Sequence, residues 1–599
     1  MQGKLPKRQE VDMSLTWRLE DIYENEDLWE ADVKEALSIA DKLSEYNGKL
    51  SDSSKALLEA LKLYEKADLL TSKFYGYAHM RHDEDTANSK YNGMNQRATS
   101  ANIQIEEKAS FVEPEILSIS DDKLSSFYEE EPELKNYELK IREIRRLKDH
   151  ILSKELEQLI ASAGEMGRTP YNGFNMLSDA DLKFPSVTDS EGNEVVLSNG
   201  RFVPVQMSKD RDLRKKAFEA FYGRYEEFKN TWAALYDGEV KTRIFNAKAR
   251  KYNSNFEAAV DENNVDPKVC DRLIESIHNG FDKMHRYVAL RKKLLGVDEL
   301  HMYDVYVSMI SDFDMQVSYD EAKDISLKAL APLGDEYLNI VKEAYESRWI
   351  DVVENEGKRS GAYSSGAYGV HPYMLLNYNN TLEDVFTLVH EMGHSMHTWY
   401  SEHEQSIWNA DYKIFVAEVA STTNEVLLYH YLKDNAKSKE EKAYIINHFL
   451  ESFKSTMYRQ TMFEEFERKT NEMAENSEPL TAESLSEVYY NLNKEYFGEN
   501  MVSDPQIAYE WCRIPHFYYN FYVYQYATSF AAAVSIAKKI LDEGSSAVEQ
   551  YKKFLKSGCT QDPVSLLKIA GVDLTTAKPI EDALKVFEEA LEEMEELFK

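Results

Sequence analysis

Two histidines four residues apart restrict the local fold of this 599-residue chain more than any other feature. In the run His390-Glu391-Met392-Gly393-His394 that spacing puts both imidazoles on one side of a helix, one turn apart. There they can share a single zinc ion. Glu391, about a hundred degrees round from His390, still borders that face and can take a proton from a water that the ion activates. The alternative is a helix whose histidines are satisfied by core hydrogen bonds.

The flanking residues support a helix. Thr381-Leu382-Glu383-Asp384 reads as an N-terminal cap, with Asp384 three residues after Thr381. Leu382, Val385, Phe386, Val389, Met392 and Met396 recur at helical spacing and anchor one side in a core.

A catalytic zinc takes three protein ligands and keeps one position open. His397 shares a face with His390, but seven residues of helix rise about 10 Å while a zinc–nitrogen bond is about 2 Å. It is therefore set aside, and position 400, Tyr, supplies no later histidine. The stretch from Tyr412 to Leu432 has no Gly or Pro and predicts a second, largely apolar helix. There Glu418 lies among Val416, Ala417, Val419 and Ala420, an expensive setting for a carboxylate without a cation. Glu425, seven residues on, returns to the same face and can accept a hydrogen bond from the far nitrogen of a metal-bound histidine. Pairing with Lys413, or exposure to solvent, is the competing account of both glutamates.

The segments His390–His397 (HEMGHSMH) and 415–421 (FVAEVAS) together resemble the oligoendopeptidase F family of thimet-oligopeptidase-like zinc metallopeptidases. The likeness extends to 17–23 (WRLEDIY), 361–369 (GAYSSGAYG) and 514–526 (IPHFYYNFYVYQY), and so covers nearly the whole length. It implies that His390, His394 and Glu418 bind one Zn2+ per chain, that Glu391 is the general base, and that a His and one or more Tyr of 514–526 line the cleft.

Attack on a peptide carbonyl creates an oxyanion that needs hydrogen-bond donors. Read as a helix, 516–526 places His516, Tyr519, Tyr522 and Tyr526 at three- and four-residue steps on one face. His516, Tyr522 and Tyr526 are the candidate donors, with an aromatic core stripe as the alternative. Gly357, Gly361, Gly366 and Gly369 precede the zinc helix with no phosphate-loop signature. A backbone so bare can receive an extended peptide through main-chain hydrogen bonds, or simply be a flexible loop. His371, beside Pro372, is read as structural or as part of the cleft rim.

Lys plus Arg number 71 and Asp plus Glu 106, a net charge of −35, which disfavours nucleic acid and anionic membranes as partners. Three scattered cysteines give neither a disulfide framework nor a zinc knuckle. No run has the length or apolarity of a signal or transmembrane segment, so the expected location is the cytoplasm. The sequence leaves the oligomeric state open.

Amphipathic periodicity predicts helices over 27–46, 53–80, 86–110 and 134–165, with Pro170 and Gly173 as breaks. A meander or hairpin is expected between Phe184 and Val205, helices from Lys209 to about 350, a short sheet over 360–378, and helices from there to the end. The expected fold is mainly α: a multi-helix, two-lobed zincin-type metallopeptidase with a small β element next to the zinc helix and a deep substrate cleft. Residues 1–200 form an N-terminal helical lobe and 201–599 the catalytic lobe. If the first lobe roofs the cleft, short unfolded peptides enter and folded proteins do not. The function that follows is a zinc metalloendopeptidase of oligopeptides. A zinc exopeptidase and a non-enzymatic acidic helical scaffold are the competing readings.

Overall fold

The computed structural model describes residues 4–310 and 315–599. Helices dominate it, and their ends obey simple capping chemistry. Asn25 accepts from the Leu28 N–H to start Glu26–Ser44, Ser53 from the Ala56 N–H to start Ser54–Glu84, and Asn88 from two N–H groups to start Ser89–Ala109.

Contacts group the chain into two compact units. The first comprises Met1–Asp149, Met315–Tyr431 and Ile536–Gly571; the second comprises His150–Asp314, Leu432–Ser535 and Val572–Lys599. In the first unit, the three long N-terminal helices pack on one another. Trp17, Trp29, Phe74 and Tyr77 are buried there together with Tyr373 and Leu375 from a three-stranded sheet. Each large apolar side chain so buried contributes about 1.5–3 kcal/mol. In that sheet Tyr373–Leu375 is central, parallel to Ile350–Asp351 and antiparallel to Tyr363–Ser365. Two of its strands fall within the stretch 360–378 expected to be β, while Ile350–Asp351 lies before it, and the sheet precedes the helix Leu382–Glu404.

The second unit is built on the helices Arg211–Glu227, Lys229–Ala249, Phe281–Leu295, Arg459–Glu475, Ala482–Phe497 and Lys578–Leu597. Its core holds an ionic node. Glu510, 1% exposed, accepts from Arg459, Arg513, Tyr222 and Tyr489. Four donors on one carboxylate satisfy the lone pairs that burial would otherwise strand.

Three expectations are corrected. The helix foreseen over 134–165 is interrupted: Glu138–Arg146 ends, a short 3-10 turn Lys148–His150 follows, and Lys154–Gly167 begins anew. Pro170 and Gly173 do not break structure but lie inside the short helix Thr169–Asn175, Pro170 in its first turn where no N–H is needed. Of the foreseen meander or hairpin the hairpin forms, Val187–Thr188 with Glu194–Val195, but it is shorter than the expected stretch because Asn199–Gln206 is helical despite Pro204.

Candidate active site

The first unit brings the motif helix Leu382–Glu404 against the helix Ile414–Asp434. The foreseen capping box is present: Thr381 Oγ1 accepts from the Asp384 N–H at 3.2 Å, and Asp384 accepts from the Thr381 N–H at 2.8 Å. What lets the two helices meet is Gly393. A Cβ there would stand 2.5 Å from Ser421 Cα and 2.7 Å from the Ala420 carbonyl oxygen, so only glycine admits this backbone approach. Asn424 adds a buried tie, donating to the Val389 carbonyl and to the Tyr337 hydroxyl.

That approach assembles the three residues singled out from sequence. His390 Nε2 and His394 Nε2 are 3.2 Å apart, and Glu418 Oε2 lies 3.4 Å from the first and 3.5 Å from the second. Ligands about 2.0–2.1 Å from a tetrahedral ion stand about 3.3–3.4 Å from one another. The three atoms thus already form one face of such a polyhedron. Among the described residues this is the one group of His, Cys, Asp or Glu side chains close enough to hold a metal ion.

The electrostatics favour a positive charge at the centre. Burial alone would lower the His390 pKa, but the Glu418 and Glu425 carboxylates outweigh it and hold it well above 6.5. Burial likewise tends to raise Glu418, yet the two imidazoles keep it far below the usual carboxylate range. Glu425 pairs with His390 Nδ1, the far nitrogen, as its helical phase foretold. Glu391 is 7% exposed. Burial raises its pKa, the two imidazoles pull it down, Glu418 raises it again, and a backbone N–H at Ser364 lowers it. Ser364 also pairs its hydroxyl with that of Ser395, 2.8 Å away, tying the strand Tyr363–Ser365 to the motif helix. Sequence reasoning missed Ser364 as a contributor, because nothing in the chain order links it to position 391.

His397 is not in the group. It is 1% exposed, stacked on Tyr412 with ring centroids 3.7 Å apart, and burial lowers its pKa to about 3. His371 stacks on Trp349 and reaches Asp21, a structural placement. Gly357, Gly361 and Gly369 have positive φ, and Gly369 donates its N–H to Glu402.

His516, Tyr522 and Tyr526 lie in the second unit. The expected helix over 516–526 does not form. Pro515–Tyr518 is a 3-10 turn, Asn520 and Phe521 take φ of 54° and 56°, and a helix starts only at Tyr524. The left-handed conformation costs Phe521 about 1–2 kcal/mol and Asn520 less. The rings nevertheless gather. His516 lies 5.5 Å from Tyr519, 6.4 Å from Tyr522 and 6.0 Å from Tyr526, centroid to centroid, and Tyr522 lies 5.4 Å from Tyr526. Burial and the Arg459 charge lower the His516 pKa, leaving a neutral imidazole that can donate from one nitrogen.

The profile of Peptidase family M3 matches residues 205–586, and that of Oligopeptidase F matches 115–184. Oligopeptidase PepF of Bacillus subtilis is 49% identical over 99% of this chain and 89% of its own length. Group B oligopeptidase PepB of Streptococcus agalactiae is 40% identical over 98% of each chain. Among solved structures, oligoendopeptidase-F from Enterococcus faecium aligns with a TM-score of 0.74 at 37% identity, covering 96% of this chain and 99% of its own. A protein from Chlamydophila abortus described as a peptidase aligns at 0.93 and 36% identity, covering 99% and 100%. With more than half its residues inside one family profile and relatives matched end to end, the chain belongs to peptidase family M3, alongside the oligoendopeptidases F.

Proposed function

We propose that the chain is a zinc endopeptidase cleaving internal bonds of short unfolded peptides, with His390, His394 and Glu418 as the ligands of one zinc ion. The observation that carries this is the triangle of two Nε2 atoms and one carboxylate oxygen with edges of 3.2, 3.4 and 3.5 Å. Two histidines and a glutamate are a zinc set that leaves a fourth position open. Bound there, zinc would supply an acidified water and a Lewis acid for the scissile carbonyl.

The chain's own residues do the rest. Glu391 takes the proton of the attacking water and returns it to the leaving amine. Its burial supports the role, since a raised carboxyl pKa makes a better base. Glu425 fixes the orientation of the His390 ring through Nδ1. His516, with Tyr522 and Tyr526, donates to the oxyanion, a role supported by their ring cluster and the neutral imidazole. Among the described residues the strand Tyr363–Ser365 has a strand partner on one side only, leaving main-chain groups for an extended peptide.

A division into an N-terminal lobe 1–200 and a catalytic lobe 201–599 belongs to this reading, supported by the two family profiles, one ending at 184 and the other beginning at 205. So does a cytoplasmic location, supported by three unpaired cysteines. Among the described residues no helix is long and apolar enough to cross a membrane. Family membership removes the non-enzymatic scaffold as an account of the chain, and no observation favours the exopeptidase.

The test is Glu391→Gln, assayed on an end-blocked, internally quenched peptide with metal content measured in parallel. Turnover should fall about 10²–10⁴-fold while zinc stays near one per chain. Undiminished turnover would overturn the assigned base. Failure of the parent enzyme to cut the blocked peptide would overturn the endopeptidase reading.

A further inference from the structure

His516 and Tyr526 are ten residues apart, and on a continuous helix they would be separated by about 15 Å of rise. Their rings are 6.0 Å apart. The chain achieves this by reversing at Asn520 and Phe521, both left-handed. Asparagine tolerates that conformation but phenylalanine does not, so something outside the turn must hold Phe521 there.

Two side chains anchored on other elements do so. Phe521 is 2% exposed, and its N–H, which must find an acceptor once buried, donates to Glu467 Oε1 at 3.0 Å. Asn520 Oδ1 accepts from Asn255 Nδ2 at 2.7 Å, and the same amide donates to Asn471 Oδ1 at 2.9 Å. Asn471 in turn donates to the Glu467 carbonyl. Both halves of the turn are therefore referred to the helix Arg459–Glu475, one directly and one through Asn255.

The state of Glu467 fits this use. Among the described residues its second oxygen has no hydrogen-bond partner, and neither oxygen of Glu464, three residues earlier, has one. Burial pushes both carboxyls up, Glu464 to about 8. A carboxyl kept neutral still accepts an N–H through its carbonyl-type oxygen, and glutamine is then a close replacement for it.

We propose that Glu467 and Asn255 are positioning residues for the peptidase reaction: they hold the double left-handed turn that sets His516 beside Tyr522 and Tyr526. The proposal rests on the reading of those three residues as oxyanion donors.

The experiment compares Glu467→Leu, Glu467→Gln, Asn255→Ala and, as controls on the underlying reading, Tyr522→Phe, Tyr526→Phe and His516→Ala. Full-length zinc-loaded protein is assayed for kcat and KM on the blocked peptide, and the His516 ring is followed by NMR. Displacing a donor by about 1 Å costs on the order of 10²-fold. Glu467→Leu should therefore lower kcat at least about tenfold, with KM within about twofold and metal content unchanged. Glu467→Gln should restore kcat to within about threefold of the parent. Asn255→Ala should fall between them, and carries the test if Glu467→Leu does not fold. The His516 resonances should move in the Leu and Ala variants and stay in place in Gln. Parent-like kcat in Glu467→Leu and Asn255→Ala, alongside lost turnover in Tyr522→Phe, would overturn the positioning role and leave the oxyanion reading standing. Equal damage by Gln and Leu would also overturn it. Parent-like kcat in all three controls would instead bring down the oxyanion reading, and the positioning role with it.

Discussion

The helix pair 382–404 and 414–434 carries His390, Glu391, His394, Glu418 and Glu425 on regular backbone throughout, whereas His516, Tyr522 and Tyr526 are gathered by backbone that leaves regular geometry twice. In the first region helical phase does the positioning. Residues four or seven apart return to one face, and Gly393 sets how closely the partner helix approaches. In the second region phase would drive the key rings apart, and a hydrogen bond accepted by Glu467 and one donated by Asn255 bring them together instead. A preorganised metal face can thus be written into a repeat, while an aromatic donor cluster here needs long-range ties.

The contrast predicts that metal affinity and turnover separate by region. The largest effect belongs to Glu418→Ala, which removes one corner of the triangle. Zinc affinity should drop more than the roughly 10–100-fold typical of losing an outer partner, and turnover should vanish with it. Titration against a competing chelator measures this. Affinity within threefold of the parent would show that Glu418 is not a ligand and break the comparison. Next comes Gly393→Ala. The added methyl meets Ser421 Cα at 2.5 Å, and forced overpacking of this kind costs about 1–3 kcal/mol. Because the strain pushes the partner helix away from the histidines, zinc affinity should fall about tenfold or more with the ligands themselves untouched. Unchanged zinc binding would mean that helix contact does not set the triangle.

The same contrast explains what could be read from the chain order. The capped motif helix, the second helix, the exclusion of His397 and the pairing of Glu425 with His390 all follow from 3.6-residue periodicity, and each is present. Gly393 carried an unread signal: a glycine inside an otherwise apolar helix costs about 1 kcal/mol relative to alanine, which a close helix contact explains. The helix assigned to 516–526 failed for a different reason. Tyrosines at three- and four-residue steps look helical, but the partners that stabilise the left-handed pair, a donor at 255 and an acceptor at 467, sit far away in sequence. The break within 134–165 has a local sign instead: after the 3-10 turn Lys148–His150, Ser153 stands at the N-cap of Lys154–Gly167.

The smallest expected effect concerns a device common to both regions, a carboxyl raised by burial that accepts a backbone N–H. Glu467 does this for Phe521, and Glu402, near the end of the motif helix, does it for Gly369 at 3.2 Å. Burial raises Glu402 from the ordinary 4.5 to about 7, against a lowering by the Gly369 N–H. A carboxyl whose folded pKa lies above its unfolded one keeps its proton longer in the folded state, so stability falls as pH rises from about 4.5 through about 7. Glu402→Gln, neutral at every pH, removes that slope. The variant should melt with the parent near pH 4.5 and become progressively more stable than it up to pH 8, by about 1–3 kcal/mol after allowance for partial exposure. Thermal melts of parent and variant across that range measure the difference. A constant offset would show that Glu402 ionises in the folded protein as it does in water, and that the acceptor of the glycine segment, unlike that of the aromatic turn, is an ordinary solvated carboxylate.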